Sequence, residues 1–151
     1  MKPNDADPGL RPEMISRSTE RHIPYIADFN QVLVVARSQI NRVVVSKIVE
    51  RSGLRPVAEA PEVALTMLRQ LTPGTIILDG GADNKDCDAL IPAITALRLA
   101  SGSMLPSVIL LSSPHATPES LALLSAIDVV VAKPITPERL QPVVEKLLGR
   151  G

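Results

Sequence analysis

Thr75-Ile76-Ile77-Leu78-Asp79-Gly80 decides how this chain is read: a short apolar run that ends on a carboxylate. Such a run, with no polar alternation, suits a strand buried on both faces in the middle of a parallel sheet. Two later stretches share its form. Val108-Ile109-Leu110-Leu111-Ser112-Ser113 ends in hydroxyls, and Val129-Val130-Val131-Ala132-Lys133-Pro134 ends in a lysine before proline. Ligands of open α/β sheets gather at the carboxyl ends of the strands. An acid, a hydroxyl and an ammonium at three successive strand ends can therefore converge on one phosphoryl group.

Outward from these strands, the composition sets the class. The chain has 151 residues, enough for one domain with its own core. Sixteen basic residues balance sixteen acidic ones, which removes the electrostatic case for nucleic acid or an anionic membrane. Tyr25 and Phe29 are the only aromatic residues, so no stacking platform for bases or flavins is expected. No run is long enough to span a bilayer, and the N-terminus has no apolar signal core. Cys87 is alone and cannot form an internal disulfide. A cytoplasmic location is the expectation.

Residues 1–30 carry Pro3, Pro8, Pro12 and Pro24 among scattered charges, which reads as a flexible arm. From residue 31 strands and helices alternate. The pattern predicts strand 32–36, then helix 38–52, capped by Ser38 and stopped by Gly53. Ile40, Val43, Val44 and Ile48 form its expected buried face. Strand 54–59 and helix 61–71 follow, then a Pro73-Gly74 turn and strand 75–79. A polar loop over 80–87 leads to helix 88–101, with Asp86 or Asp88 as its cap. Strand 107–112, helix 119–126, strand 128–132 and helix 137–148 complete the chain. Five strands alternating with helices give an α/β, doubly wound parallel sheet.

Residues 31–149 form the expected domain, and 31–148 of it resemble the receiver domain of two-component response regulators. The resemblance rests on Asp79, Ser112 and Lys133-Pro134 at matching strand ends. Ser38-Gln39-Ile40-Asn41-Arg42 also resembles the stretch after the acidic pair in receivers of the hybrid-kinase type. It implies a flavodoxin-like (β/α)5 fold with strand order 2-1-3-4-5, two helices on one face and three on the other. It also implies that Asp79 is the phospho-acceptor, that Ser112 and Lys133 contact the phosphoryl group, and that the Lys133–Pro134 bond is cis.

The departures are as informative. Ala36 and Arg37 stand where the family has its acidic pair, so the carboxylates that hold magnesium are missing. Val130 stands at the position of the aromatic switch residue. Ala82-Asp83 replaces the usual Met-Pro step after the acceptor, and Cys87 replaces the glycine of the usual Asp-Gly. No tight metal site is expected, with magnesium bound weakly if at all. Arg37 has two readings: inward against Asp79, where its guanidinium would stand in for the metal as a cationic lock, or outward to solvent. Asp83, Asp86 and Asp88 read as a solvated loop, and His115 as a loop histidine.

The resemblance implies a stand-alone atypical receiver in two-component signalling, acting through protein contacts. The expected partners are a histidine kinase, a phosphotransfer protein or another signalling protein, and a homodimer through residues 117–148 is possible. The alternative is a competent response regulator, phosphorylated on Asp79, that shuttles phosphoryl groups in a phosphorelay. An enzyme is not expected. The second aspartate of haloacid-dehalogenase phosphatases would fall at Gly81, and there is no Walker-type loop or His/Cys metal cluster.

Overall fold

The β-branched runs of the sequence become the central strands of one parallel sheet. In the computed structural model the described residues are 26–102, 105–113 and 126–147. The elements are β1 (Asp28–Val35), α1 (Gln39–Arg51), β2 (Arg55–Glu59), α2 (Pro61–Met67), β3 (Pro73–Asp79), α3 (Leu90–Ser101), β4 (Ser107–Ser112), β5 (Val129–Ala132) and α4 (Pro137–Glu145). The sheet runs β2-β1-β3-β4-β5, and every pairing is parallel. The predicted order 2-1-3-4-5 is therefore the order found. Residues 119–125 of the predicted helix 119–126, and His115, lie outside the described residues, and Ala126 is buried in a turn.

β3 sits at the centre and is buried along its whole length. Strand alternation divides its side chains between two cores. Ile77 packs with Val32, Val34, Ile109 and Leu111 beneath α1 and α4. Ile76 and Leu78 pack with Leu33, Val35, Val108 and Leu110 beneath α2 and α3. The two layers are what keep the strand ends in fixed register, with Asp79 opposite Leu111.

Three element readings are corrected. β1 begins at Asp28, inside the segment read as an arm, because Asp28 is held twice: its N–H donates to Thr72 O at 2.7 Å and its carboxylate meets Arg55 at 2.8 Å. Pro73-Gly74 is not a turn before β3 but its first two residues, with Phe29 of β1 lying close over Gly74. A Cβ on Gly74 would come within 2.9 Å of the Phe29 backbone, so glycine permits this approach. α2 ends at Met67, four residues short of the predicted 71.

A fourth correction is the phase of α1. Ser38 caps it as predicted, accepting from Asn41 N–H, and Gly53 takes the left-handed conformation beyond its end. The buried face, however, is Val45, Ile48 and Val49. Ile40 and Val43 are 74% and 52% exposed. The helix carries two apolar stripes at i, i+3, i+4 spacing, rotated from one another by about 140° at 100° per residue. Periodicity cannot choose between them. Packing against β1 and α4 does, through Val45 and Val49.

At the far side of the sheet, Arg98 of α3 is buried and pairs with Asp128 at 2.8 Å. Asp128 also accepts from Val108 N–H at 2.8 Å, so the pair ties α3 to the starts of β4 and β5. A charge pair this desolvated is tolerated because both partners have their hydrogen bonds. No helix among the described residues is long and apolar enough to cross a membrane.

Candidate functional site

β1, β3, β4 and β5 deliver their C-terminal residues to one edge of the sheet, and Asp79 stands in the middle of it. Its side chain is 4% exposed. Both carboxylate oxygens are engaged. Oδ1 meets Lys133 Nζ at 2.6 Å and accepts from Gly81 N–H at 3.0 Å. Oδ2 accepts from Asn41 Nδ2 at 2.6 Å. A buried carboxylate is stable only when paired and hydrogen-bonded in this way.

Lys133 reaches Asp79 because β5 and the turn after it are pinned. Lys133 N–H donates to Ser112 O at 3.0 Å, and the Lys133–Pro134 peptide is cis, as the resemblance implied. The acid and the ammonium of the sequence reading thus come together. Arg37 does not join them. Its guanidinium turns outward, donates to Glu62 at 2.8 Å and lies 3.9 Å from Asp86. The inward reading, with Arg37 as a cationic lock on Asp79, is wrong. An exposed pairing avoids the desolvation that a third charge in the pocket would cost. Glu62's carboxyl is held below its ordinary value by its own backbone hydrogen bond and then by Arg37.

The residue that takes the place proposed for Arg37 is Asn41, which the sequence reading quoted but gave no role. α1 places it there. Arg42 Nη1 donates to Ala36 O at 2.7 Å and to Arg37 O at 3.3 Å, which fixes the β1–α1 turn and the entry angle of the helix. By strand parity Asp79 follows Ile77 toward the α1 face. Its outer oxygen therefore meets the first turn of α1, and Asn41 is the residue there whose side chain donates to it. A side-chain amide six residues past the end of β1 was the available signal.

Ser112 stands at the end of β4, but its hydroxyl is not on Asp79. It donates to Ser113 O at 3.1 Å and accepts from Asn84 Nδ2 at 3.4 Å. Val130, the switch position, is 44% exposed on the edge strand β5.

The β3–α3 loop closes the site. Asp86 N–H donates to Gly80 O at 3.0 Å, and the Cys87 thiol donates to Asp79 O at 3.3 Å. Asp86 does not cap α3, and neither does Asp88; the cap position is Ala89, with no side-chain hydrogen bond. Asp86 instead lies against Gly81, whose φ of +76° and lack of a Cβ make room for it. Burial, and then the charges of Asp79 and Asp86, push the Cys87 thiol up to about 12.

A receiver fold implies magnesium at this edge. The donor set does not fit it. Hard cations take several oxygen ligands, commonly more than one carboxylate. Here Ala36 is fully buried and offers only a methyl group, Arg37 faces away, and Asp79 is bound by an ammonium and an amide. Among the described residues no three His, Cys, Asp or Glu side chains are placed to share a metal ion.

Comparison with known proteins agrees on the fold. No protein-family profile matches the chain, and no curated protein matches it. Solved structures do. A receiver domain of a sensor histidine kinase from Pseudomonas aeruginosa, described with a magnesium ion in its active-site cleft, is 17% identical with a TM-score of 0.65. It covers 81% of this chain and 99% of that one. A response regulator from Burkholderia multivorans is 18% identical with a TM-score of 0.64, over 82% of this chain and 98% of that one. A chemotaxis response regulator of Vibrio cholerae is 20% identical with a TM-score of 0.62, over 80% and 99%. At these identities the likeness establishes the receiver fold.

Proposed function

We propose that this chain is an atypical receiver of two-component signalling that works by binding other proteins, with little or no magnesium-dependent phosphorylation. One observation carries the reading: both oxygens of Asp79 are already held, by Lys133, Gly81 N–H and Asn41, without a second carboxylate. A phosphoryl acceptor needs a free oxygen and compensation of the incoming charge, usually from a metal. Without that compensation transfer loses several kcal/mol of stabilisation, or orders of magnitude in rate. The domain is read as a non-enzymatic, cytoplasmic binding module whose partners are a kinase, a phosphotransfer protein or a similar signalling protein.

The expected partner or dimer face, residues 117–148, falls partly outside the described residues. Ile40 and Val43 of α1 are a second candidate face, since they are apolar, exposed and adjacent to Asn41.

The second reading, a shuttle phosphorylated on Asp79, is favoured by the intact Asp79–Lys133 pair. Incubation with acetyl phosphate across a magnesium titration, read by intact mass, separates the two. Negligible phosphorylation at all magnesium levels is expected. A magnesium-dependent phosphoryl adduct, lost in Asp79→Asn, would establish the shuttle instead.

A further inference from the structure

Asn84 is a buried polar side chain at the site whose hydrogen bonds go to the end of β4. It is 5% exposed and has a φ of +63°, in the left-handed region that asparagine tolerates better than most residues. Its carboxamide is used at both ends. Oδ1 accepts from Ser113 N–H at 3.0 Å, and Nδ2 donates to Ser112 Oγ at 3.4 Å. Gly80 permits this, since a Cβ there would lie 2.8 Å from the Asn84 backbone. One loop side chain thus clamps the end of β4.

The consequence falls on Ser112. A hydroxyl has one proton and two acceptor sites. With Asn84 donating to its oxygen, the Ser112 proton goes to Ser113 O at 3.1 Å. It is then not available to any group bound at Asp79. An anionic ligand there, with oxygen or fluorine acceptors, gains the Ser112 proton only if the hydroxyl turns away from this pairing.

We propose that Asn84 is the positioning residue that latches Ser112, so that this pocket's switch lies in the β3–α3 loop rather than at Val130. The proposal rests on reading Asp79, Ser112 and Lys133 as a phosphoryl-type site. Phosphoryl-type anions at Asp79 bind against the latch, and releasing it strengthens them by about the worth of one ordinary hydrogen bond, roughly three- to tenfold.

The test uses the full chain, with beryllofluoride as the probe, followed by fluorine NMR. Asn84→Gly keeps the left-handed backbone accessible and removes only the carboxamide. It is expected to bind the probe roughly three- to tenfold more tightly than the unaltered chain. The gain is expected to vanish in Asn84→Gly with Ser112→Ala, because the hydroxyl is what the latch withholds. A gain that persists without the hydroxyl overturns the latch, as does no gain at all while the unaltered chain binds. Without ligand, Ser112 Hα–Hβ couplings should report one rotamer in the unaltered chain and an average in Asn84→Gly. A single rotamer in both overturns the latch whatever the probe does. If no variant binds the probe, or if Asp79→Asn leaves binding intact, the phosphoryl reading fails, and the rotamer measurement alone judges the latch.

Discussion

The side-chain amide of Asn41 donates to Asp79 Oδ2 at 2.6 Å, so the first turn of α1 is tied to the carboxylate at the end of β3. The tie is neutral. Among the described residues, the positive charge on Asp79 comes from Lys133, on the other oxygen. The same helix exposes Ile40 one residue earlier. A protein that docks on α1 therefore touches the element that holds the pocket.

Removing either partner of Asp79 should destabilise the fold, and by different amounts. Lys133→Ala leaves a buried carboxylate without counter-charge and should cost about 3 kcal/mol or more. Asn41→Ala removes one hydrogen bond to a charged group and should cost roughly 1.5–3 kcal/mol. Urea unfolding measures both. In an Asp79→Asn background the Lys133→Ala cost should shrink, and an undiminished cost would mean that Lys133 acts through something other than this pair.

Arg37→Ala should be nearly silent. Its partner Glu62 is exposed and the pair is open to solvent, so a change within about 0.5 kcal/mol is expected. A loss of several kcal/mol in the same unfolding measurement would show that Arg37 supports the pocket after all.

Magnesium should not raise the melting temperature of the unaltered chain, because among the described residues no group of three His, Cys, Asp or Glu side chains is placed to share a metal ion. Ala36→Asp with Arg37→Asp should lower stability without metal, since residue 36 is fully buried. Magnesium should then recover part of that loss by binding the folded state. Thermal unfolding with and without magnesium is the measurement, and a flat response in the double variant would mean that Asn41 and Lys133 still block the site.

Cys87 should be inert as a thiol at neutral pH. Its pKa is raised by burial from 9.0 to about 12, so the folded state holds this proton more tightly than the unfolded state does. The sign follows from linkage: the contribution is full below about pH 9.0 and is lost as pH rises toward 12. Stability measured across that window should fall more steeply in the unaltered chain than in Cys87→Ala. Parallel curves would contradict the assignment.

The phase of α1 can be checked by two alanines. Ile48→Ala should cost about 2–4 kcal/mol as a core truncation. Ile40→Ala should stay within about 0.5 kcal/mol. Equal costs would return the helix to the phase that periodicity alone suggested.

These residues mark where sequence reasoning ends. Strand identity was legible because runs such as Thr75–Leu78 have no polar face to offer water, and only a buried parallel strand accommodates them. The order of the strands and the meeting of Asp79 with Lys133 were legible through the resemblance, since both residues sit at strand ends that the sheet must bring together. The helix cap at Ser38 is a local event, set by residues a few positions apart.

The alternation of strands and helices, the absence of a carboxylate pair after β1, and the acid and ammonium at the strand ends are written in the order of the residues. Which face of α1 is buried, which way Arg37 turns, and which neighbours complete the pocket are settled by folding. Those choices depend on packing and desolvation between segments far apart in the chain. Arg37 finds Glu62 in solvent more cheaply than Asp79 in the interior. Asn41 finds Asp79 because Val45 and Val49 fix the rotation of its helix, and Asn84 finds Ser112 because Gly80 lets its loop come close.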